Sequence, residues 1–187
     1  MSTIDVDVIV PHLLLGSLVG QQNVKLRKLG VACVIDVSNG KNKQLEKRCA
    51  KDDIELIEIQ ALDQPDFNMK CYFHDVADKI EHTRMNGGRT LVFCRMGISR
   101  SSTLVLAYLM KYYGMQLNQA YRHVNARRPI RPNSGFWSQL ETFELELNPA
   151  VFQWELEKPV YSTTWLSVLA LLLMFLYFCC SFEFTRS

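Results

Sequence analysis

Short apolar runs rich in β-branched residues recur in the first half of the chain and predict strands. Val31–Val37 (VACVIDV) is typical of a buried strand, and the turn-forming pair Asn39 and Gly40 follows it. Ile4–Val10 has the same character and ends at Pro11. The predicted strands are Ile4–Val10, Val31–Val37, Ile54–Ile59 and Thr90–Phe93.

Between and after these strands, apolar residues recur at helical spacing. Within residues 68–85 they follow at three- and four-residue steps, which places them on one face of a helix. Gly30 and Gly114 are suited to end two of the helices. The predicted helices are Val19–Leu29, Lys41–Ala50, Asn68–Met85, Ser101–Tyr113, Leu117–Ala126 and Ser134–Leu147. Because strands alternate with helices, we expect an α/β fold with a central, largely parallel sheet flanked by helices.

A different pattern covers residues 165–182 (WLSVLALLLMFLYFCCSF), where 16 of 18 residues are apolar and none is charged. Eighteen helical residues rise about 27 Å, close to the thickness of a bilayer's hydrocarbon core. The sequence therefore predicts one transmembrane helix at 165–182, after a domain at 1–147 and a linker at 148–164, and before a short tail at 183–187. We expect a single-pass, tail-anchored protein whose domain is cytosolic, with the endoplasmic reticulum favoured over the outer mitochondrial membrane.

Composition narrows the classes of function. Hydrophobic residues make up 48% and charged residues 21% of the 187 residues, which excludes a disordered or low-complexity chain. The formal net charge is only +2, so no nucleic-acid partner is expected. The six cysteines are expected to be reduced thiols. They are Cys33, Cys49, Cys71, Cys94, Cys179 and Cys180.

The segment between the last predicted strand and the helix after it carries the clearest chemistry. Cys94 follows the strand, five residues come next, and Arg100 precedes a long apolar helix. A loop that opens a helix presents backbone N–H groups to an anion, and Gly97 lets the backbone curl without a side chain in the way. Arg100 offers a planar fork for two phosphate oxygens. Because the same groups stabilise a thiolate, we predict that Cys94 is an activated nucleophile that attacks phosphorus.

This segment, CRMGISRS at residues 94–101, fits the pattern C-x-x-G-x-S-R-S. On that basis the sequence resembles the cysteine-dependent dual-specificity phosphatases of the protein tyrosine phosphatase superfamily, and in particular their small atypical members. The resemblance covers Ile4–Leu147 and includes ALDQPDFN, GGRTLVFC, LAYLMKY and RPNSGFW. It implies a protein tyrosine phosphatase-like sandwich, a cysteinyl-phosphate intermediate, and protein substrates phosphorylated on tyrosine and on serine or threonine. No cofactor and no metal is expected.

The resemblance also implies roles for individual residues. Arg100 binds phosphate and stabilises the transition state, and Asp63 in ALDQPDFN is the general acid that protonates the leaving oxygen. The hydroxyl of Ser101 is expected to hydrogen-bond the sulfur of the nucleophile and ease its departure. Asp66 is interpreted as a capping residue of the helix predicted at 68–85. The phosphate-binding loop consists of Arg95, Met96, Gly97, Ile98 and Ser99.

One position departs from the family's pattern. Phe93 precedes the nucleophile, where the family usually has a histidine that braces the loop. We therefore expect a less stabilised thiolate and an active but weakened enzyme. The chain's own histidines are interpreted as structural; they are His12, His74, His82 and His123.

Two alternatives to the function of a protein phosphatase remain open. The first is a phosphate-binding adaptor of the same fold that turns over poorly because of Phe93. The second is a phosphatase for a non-protein phosphoester, such as an RNA 5′ phosphate, a phosphorylated lipid or a phosphorylated sugar. The near-neutral charge argues against RNA, and the absence of lysine between Cys94 and Arg100 disfavours a phosphoinositide.

Overall fold

A computed structural model of the chain describes residues 5–18 and 25–148. The transmembrane helix predicted at 165–182 lies outside the described residues, as do the short tail after it and all of the predicted linker except Asn148. Within the described ranges, no helix is long and apolar enough to cross a membrane.

Five strands form one mixed sheet. They are Val6–Val10 (β1), Leu13–Ser17 (β2), Val31–Asp36 (β3), Glu55–Glu58 (β4) and Arg89–Cys94 (β5). Their order across the sheet is β1-β2-β5-β3-β4. Strands β1 and β2 form an antiparallel hairpin, whereas β2–β5, β5–β3 and β3–β4 are parallel pairs. The predicted α/β fold with a largely parallel sheet is therefore confirmed.

The sequence pattern does not predict strand β2. Its residues, LLLGS, are all buried, so the segment lacks the polar–apolar alternation that distinguishes a strand. The strand is buried because it lies between β1 and β5 in the sheet. The helix predicted at Val19–Leu29 is described only in its last part, where Leu26–Leu29 form a 3₁₀ helix. Gly30 ends it with a φ of 70°, a conformation that glycine adopts without strain.

The α-helices of the described residues lie close to their predicted positions. The main difference concerns the second helix, where Lys70–Tyr72 form a 3₁₀ turn and the α-helix begins only at Phe73. Asp66 lies in an exposed turn well before this start, so its interpretation as a helix cap is wrong. The helices are Lys43–Asp52 (α1), Phe73–Met85 (α2), Arg100–Tyr113 (α3), Leu117–Asn125 (α4) and Ser134–Leu147 (α5).

Helix α3 lies in the middle of the main core. All residues from Arg100 to Met110 are buried, because α3 packs against the sheet and also against α2, α4 and α5. A leucine that is fully buried contributes about 1.5–3 kcal/mol, so this packing fixes the position of the helix firmly. Side chains alternate across β5: Val92 and Cys94 join the core on the α3 side, and Leu91 and Phe93 join a second cluster on the other face. Cys94 and the helix that follows it thus rest on the most buried part of the domain.

Candidate active site

The predicted phosphate-binding loop, residues 95–99, connects the carboxyl end of the central strand β5 to the start of α3. Gly97 allows this loop to turn tightly. Its φ is 69°, and a Cβ atom at this position would lie 2.4 Å from the carbonyl oxygen of Gly16. Any other residue would therefore push the loop away from β2, and glycine is required here.

Cys94 lies beneath the loop with its thiol buried. Its Sγ accepts a hydrogen bond from the Ser101 hydroxyl at 3.1 Å and another from the backbone N–H of Gly97 at 3.2 Å. Burial raises the pKa of the Cys94 thiol, but hydrogen bonds from the Ser101 hydroxyl and from the backbone of Ser101, Gly97 and Met96 oppose it, and the net pKa lies below the ordinary value. The site thus favours the thiolate, which is the nucleophilic form.

Arg100 is the buried cation of the site. Its Nη1 donates to the carbonyl oxygens of Ala61 at 3.0 Å and Val37 at 3.3 Å, which fixes the plane of the guanidinium. Among the described residues, its Nε has no hydrogen-bond partner, and Oδ2 of Asp63 lies 3.7 Å away. A buried donor without a partner is costly, so this Nε is suited to an incoming oxyanion.

Asp63 lies on the segment 61–67, which we call the acid loop. Its Oδ1 accepts hydrogen bonds from the Ser99 hydroxyl at 2.7 Å and from the Asn133 side-chain amide at 3.0 Å. The carboxyl group remains partly exposed, with 39% of its side chain accessible. A cavity of about 630 Å³, which we call the catalytic cavity, is lined by Asp63, Cys94 and Arg100. The structure therefore brings these three predicted residues together.

Asn133 and Gly135 support the acid loop, although the sequence gives them no role in the site. Asn133 caps α5 by accepting a hydrogen bond from the Phe136 N–H at 2.9 Å, which leaves its amide N–H₂ to hold Asp63. A Cβ at Gly135 would lie only 1.8 Å from the carbonyl oxygen of Pro65, so only glycine allows this close approach. The available sequence signal was the segment RPNSGFW, an asparagine just before a helix.

Arg128 is a third residue that the sequence does not single out. Its side chain is almost fully buried and donates to two carbonyl oxygens of the phosphate-binding loop, those of Met96 and Gly97, each at 2.8 Å. Its remaining donor group forms ion pairs with Asp5 and Asp7. An arginine in the run ARRPIRPN carries no local signal that points to this contact, because its partners lie far away in the sequence.

The rim of the site is basic. A neighbouring cavity of about 850 Å³ shares Asp63, Arg95 and Arg100 with the catalytic cavity and is also lined by Lys41 and Lys43. Arg95 and both lysines are exposed. The chain as a whole is nearly neutral, so this concentration of positive charge suits an anionic substrate at this edge of the sheet.

Phe93 fills the position of the family's usual histidine. Its ring is fully buried among apolar side chains of the second cluster, which include Leu14, Leu26 and Val34. None of the chain's four histidines lines the catalytic cavity, and His12, for example, contacts the Tyr108 hydroxyl instead.

The described cysteines are free thiols, as expected, and they are Cys33, Cys49, Cys71 and Cys94.

Sequence comparison identifies the family. Residues 13–146 match the family described as "Dual specificity phosphatase, catalytic domain", so the chain belongs to the dual-specificity phosphatases. It is 46% identical over 97 residues to dual specificity protein phosphatase 18 of Mus musculus, which covers 51% of this chain and 52% of that protein. It is 42% identical over 127 residues to dual specificity protein phosphatase 14 of Mus musculus, covering 65% and 60%. The chain thus spans between half and two thirds of the length of these curated relatives.

Structural comparison supports the same fold. The crystal structure of human DUSP28 matches with a TM-score of 0.71 and 27% identity, covering 77% of this chain and 95% of that one. The structure of DUSP15 matches with a TM-score of 0.69 and 28% identity, covering 79% and 95%. The human tyrosine phosphatase-like serine/threonine/tyrosine-interacting protein has a TM-score of 0.67 and 28% identity, with coverage of 76% and 97%. The predicted protein tyrosine phosphatase-like sandwich is confirmed.

Proposed function

We propose that this chain hydrolyses phosphate monoesters of proteins through a cysteinyl-phosphate intermediate. The observation that carries the proposal is the surroundings of Cys94. Its sulfur accepts hydrogen bonds from Ser101 and Gly97 in the cavity that Arg100 and Asp63 also line. A nucleophile, an anion-binding group and a proton donor are therefore all available to one bound phosphate.

In the first step, the loop amides and Arg100 bind the phosphate oxygens, and the Cys94 thiolate attacks phosphorus. The sulfur–phosphorus bond forms as the bond from phosphorus to the leaving oxygen breaks. Asp63, in its protonated form, gives its proton to that oxygen, which leaves as a hydroxyl. The amides and the guanidinium are already in place, so they stabilise the transition state without reorganising.

In the second step, water attacks the phosphorus of the intermediate. Asp63, now a carboxylate, accepts a proton from this water, and the sulfur–phosphorus bond breaks to release inorganic phosphate. Cys94 leaves as a thiolate, whose negative charge is stabilised by the hydrogen bonds from Ser101 and Gly97. The cycle returns the enzyme to its starting protonation state.

The substrates in this proposal are proteins phosphorylated on tyrosine and on serine or threonine. The support comes from the family, whose matched relatives are named dual specificity protein phosphatases, and from the site itself. Its acid is partly exposed and its rim carries exposed cations, which suits a phosphorylated residue on the surface of another protein.

Hydrolysis of a small aryl phosphate by the 187-residue chain tests the activity. We expect turnover that Cys94→Ser abolishes and that Cys71→Ser leaves unchanged, because Cys71 is an exposed free cysteine outside the catalytic cavity. Equal rates for the unaltered chain and Cys94→Ser would refute the proposed reaction. Phosphotyrosine and phosphothreonine peptides, compared in the same assay, measure the preference for the phosphorylated residue.

The alternative function is a phosphate-binding adaptor with weak turnover, and the observation that favours it is Phe93. An apolar ring at this position cannot donate a hydrogen bond to the loop. The two functions differ in the fate of a bound phosphopeptide. An adaptor retains it on the unaltered chain, whereas the enzyme releases phosphate and retains the peptide only when Cys94 is replaced by serine.

We further propose that residues 165–182 anchor the protein in a membrane, with the phosphatase domain on the cytosolic side and the endoplasmic reticulum favoured. The support is the sequence alone, 18 residues with 16 apolar side chains and no charge. A fluorescent protein fused to residues 148–187 is expected to mark a membrane compartment in cells. The matched control carries arginines in place of Leu171 and Leu172, and a diffuse signal from both fusions would refute the anchor.

A further inference from the structure

We propose that Arg128, held by Asp5 and Asp7, is a positioning residue that sets the reactivity of Cys94 through the backbone of the phosphate-binding loop. The inference rests on the proposed function of the site. It adds a link between the catalytic loop and the beginning of the chain, since Asp7 belongs to strand β1 and Asp5 directly precedes it.

The peptide bond between Met96 and Gly97 carries this link. Its carbonyl oxygen accepts a hydrogen bond from Nη2 of Arg128 at 2.8 Å, and its N–H donates to Sγ of Cys94 at 3.2 Å. In a trans peptide the C=O and N–H groups point in opposite directions. When Arg128 holds the oxygen on the outer side of the loop, the N–H is therefore directed inward at the sulfur.

The next peptide bond is held in the same way. The carbonyl oxygen of Gly97 accepts a hydrogen bond from Nε of Arg128 at 2.8 Å, so the N–H of Ile98 is directed away from the arginine. Ile98 lines the catalytic cavity, which places this N–H among the groups available to a phosphate oxygen. A single guanidinium thus orients two successive amides, one of which donates to the thiolate.

Asp5 and Asp7 make this arrangement possible for a charged side chain that is almost fully buried. A guanidinium buried without a counter-charge is strongly unfavourable, and here Nη1 forms ion pairs with both carboxylates. The hydrogen bond from Arg128 holds the pKa of the Asp5 carboxyl below its ordinary value, despite partial burial. The carboxylates fix the guanidinium from one side, and the loop carbonyls occupy its other donors.

The absence of the family's usual histidine makes this support more important. Phe93 fills its volume but cannot donate a hydrogen bond, so the loop carbonyls depend on other donors. The other loop carbonyls have different donors. Arg95 accepts from the N–H of Leu18 at 3.4 Å, and Ile98 accepts from the N–H of Arg131 at 2.9 Å and from the Ser102 hydroxyl at 2.6 Å. The carbonyl of Ser99 accepts from the hydroxyls of Ser102 and Thr103 and from the Thr103 N–H. Arg128 serves the carbonyls of Met96 and Gly97, the two residues on either side of the peptide N–H that donates to the sulfur.

The test measures the pKa of Cys94 from the rate of its alkylation by iodoacetamide against pH, with the Cys94 adduct followed by mass spectrometry. This readout needs no turnover, so it separates failure of the present inference from failure of the proposed function. For Arg128→Met in the 187-residue chain we expect the pKa of Cys94 to rise by about one unit, and alkylation at low pH to fall about tenfold. The matched control is Arg127→Met, an exposed neighbour that is expected to leave the pKa unchanged.

A second variant distinguishes positioning from simple charge effects and also covers the case in which Arg128→Met does not fold. Asp5→Asn combined with Asp7→Asn removes two negative charges from the surroundings of the loop. If only long-range charge mattered, the thiolate would be less repelled and the pKa of Cys94 would fall. If Arg128 acts by positioning, its loosened guanidinium directs the Gly97 N–H less well and the pKa rises. A fall or no change in this double variant overturns the proposal.

Discussion

The phosphate-binding loop and the acid loop face the same cavity, yet they are held in different ways. Residues 95–99 present backbone amides, and their carbonyls are bonded to Arg128, Arg131 and Leu18 from outside. In residues 61–67, the side chains of residues 62–66 are all exposed. The position of Asp63 depends on two side-chain hydrogen bonds, from Ser99 and Asn133, and on the close contact at Gly135.

The difference reflects what each loop has to do. Amides that bind an anion are effective when they are oriented before the anion arrives, so a rigid, buried support is favourable. A general acid must reach the leaving oxygen and then the attacking water, so a carboxyl group that is open to the cavity is favourable. The two loops are also joined at one point, because the Ser99 hydroxyl of the first donates to Asp63 of the second. Substitutions on either side test this division of roles.

The largest effect is expected for Arg100→Lys on the phosphate-binding side. Lysine retains the charge, but it cannot bind the carbonyls of Ala61 and Val37 while presenting a planar fork to phosphate. We expect kcat toward an aryl phosphate to fall about a thousandfold. Steady-state kinetics measure the loss, with Arg127→Lys as the exposed control. A loss below tenfold would show that the guanidinium geometry is not needed.

Asp63→Asn tests the acid side and is expected to cost about a hundredfold in kcat toward a phosphotyrosine peptide. The loss should be much smaller for a substrate whose leaving group needs no proton, such as an activated aryl phosphate. An equal loss for both substrates would indicate a role in binding instead of proton transfer.

Ser101→Ala is expected to have an intermediate effect, about tenfold on kcat, since one charge-assisted hydrogen bond to the thiolate is removed. The hydroxyl of Ser101 lowers the pKa of Cys94 in the folded enzyme. Without it the pKa rises, and the ascending limb of kcat/KM moves to higher pH. A pH–rate profile measures this shift, and a limb that stays in place would contradict the assigned contact.

Phe93→His is expected to have the smallest effect, an increase in kcat of a few-fold at most. Histidine restores a donor behind the loop, but it also places a polar ring among Leu14, Leu26 and Val34. An unsatisfied buried polar group costs about 1–3 kcal/mol, so the midpoint of thermal unfolding should fall. Phe93→Leu serves as the control that changes shape without adding a donor. An increase with leucine as large as with histidine would argue against bracing by a hydrogen bond.

The parts of the site that could be predicted from sequence are those whose residues are adjacent along the chain. Cys94, Gly97, Arg100 and Ser101 lie within one strand–turn–helix unit, so their spacing alone indicates an anion site. The same locality explains why most strands and helices were predicted within a few residues. Asp63 needed the family resemblance, because a lone aspartate in a loop has no distinguishing pattern.

The parts that could not be predicted depend on contacts between distant segments. Arg128 meets Asp5 and the loop carbonyls only when β1, the loop and the segment after α4 come together. Asn133 is recognisable as a helix cap, but nothing near it in the sequence indicates that its other amide atom holds Asp63. Strand β2 was not predicted because it is buried on both faces, so its sequence does not alternate between polar and apolar residues.

The central place of β5 in the sheet has a consequence for how the protein acquires its activity. The strand that ends at Cys94 pairs with residues 13–17 on one side and 31–36 on the other, all far earlier in the chain. Pairings of such high contact order close large loops and form late in folding. Local helices can be present long before this, but the anion cradle exists only when both neighbouring strands have docked. Chains in which β2 or β3 has not yet paired with β5 are therefore expected to lack the anion site and to be inactive toward phosphorylated substrates.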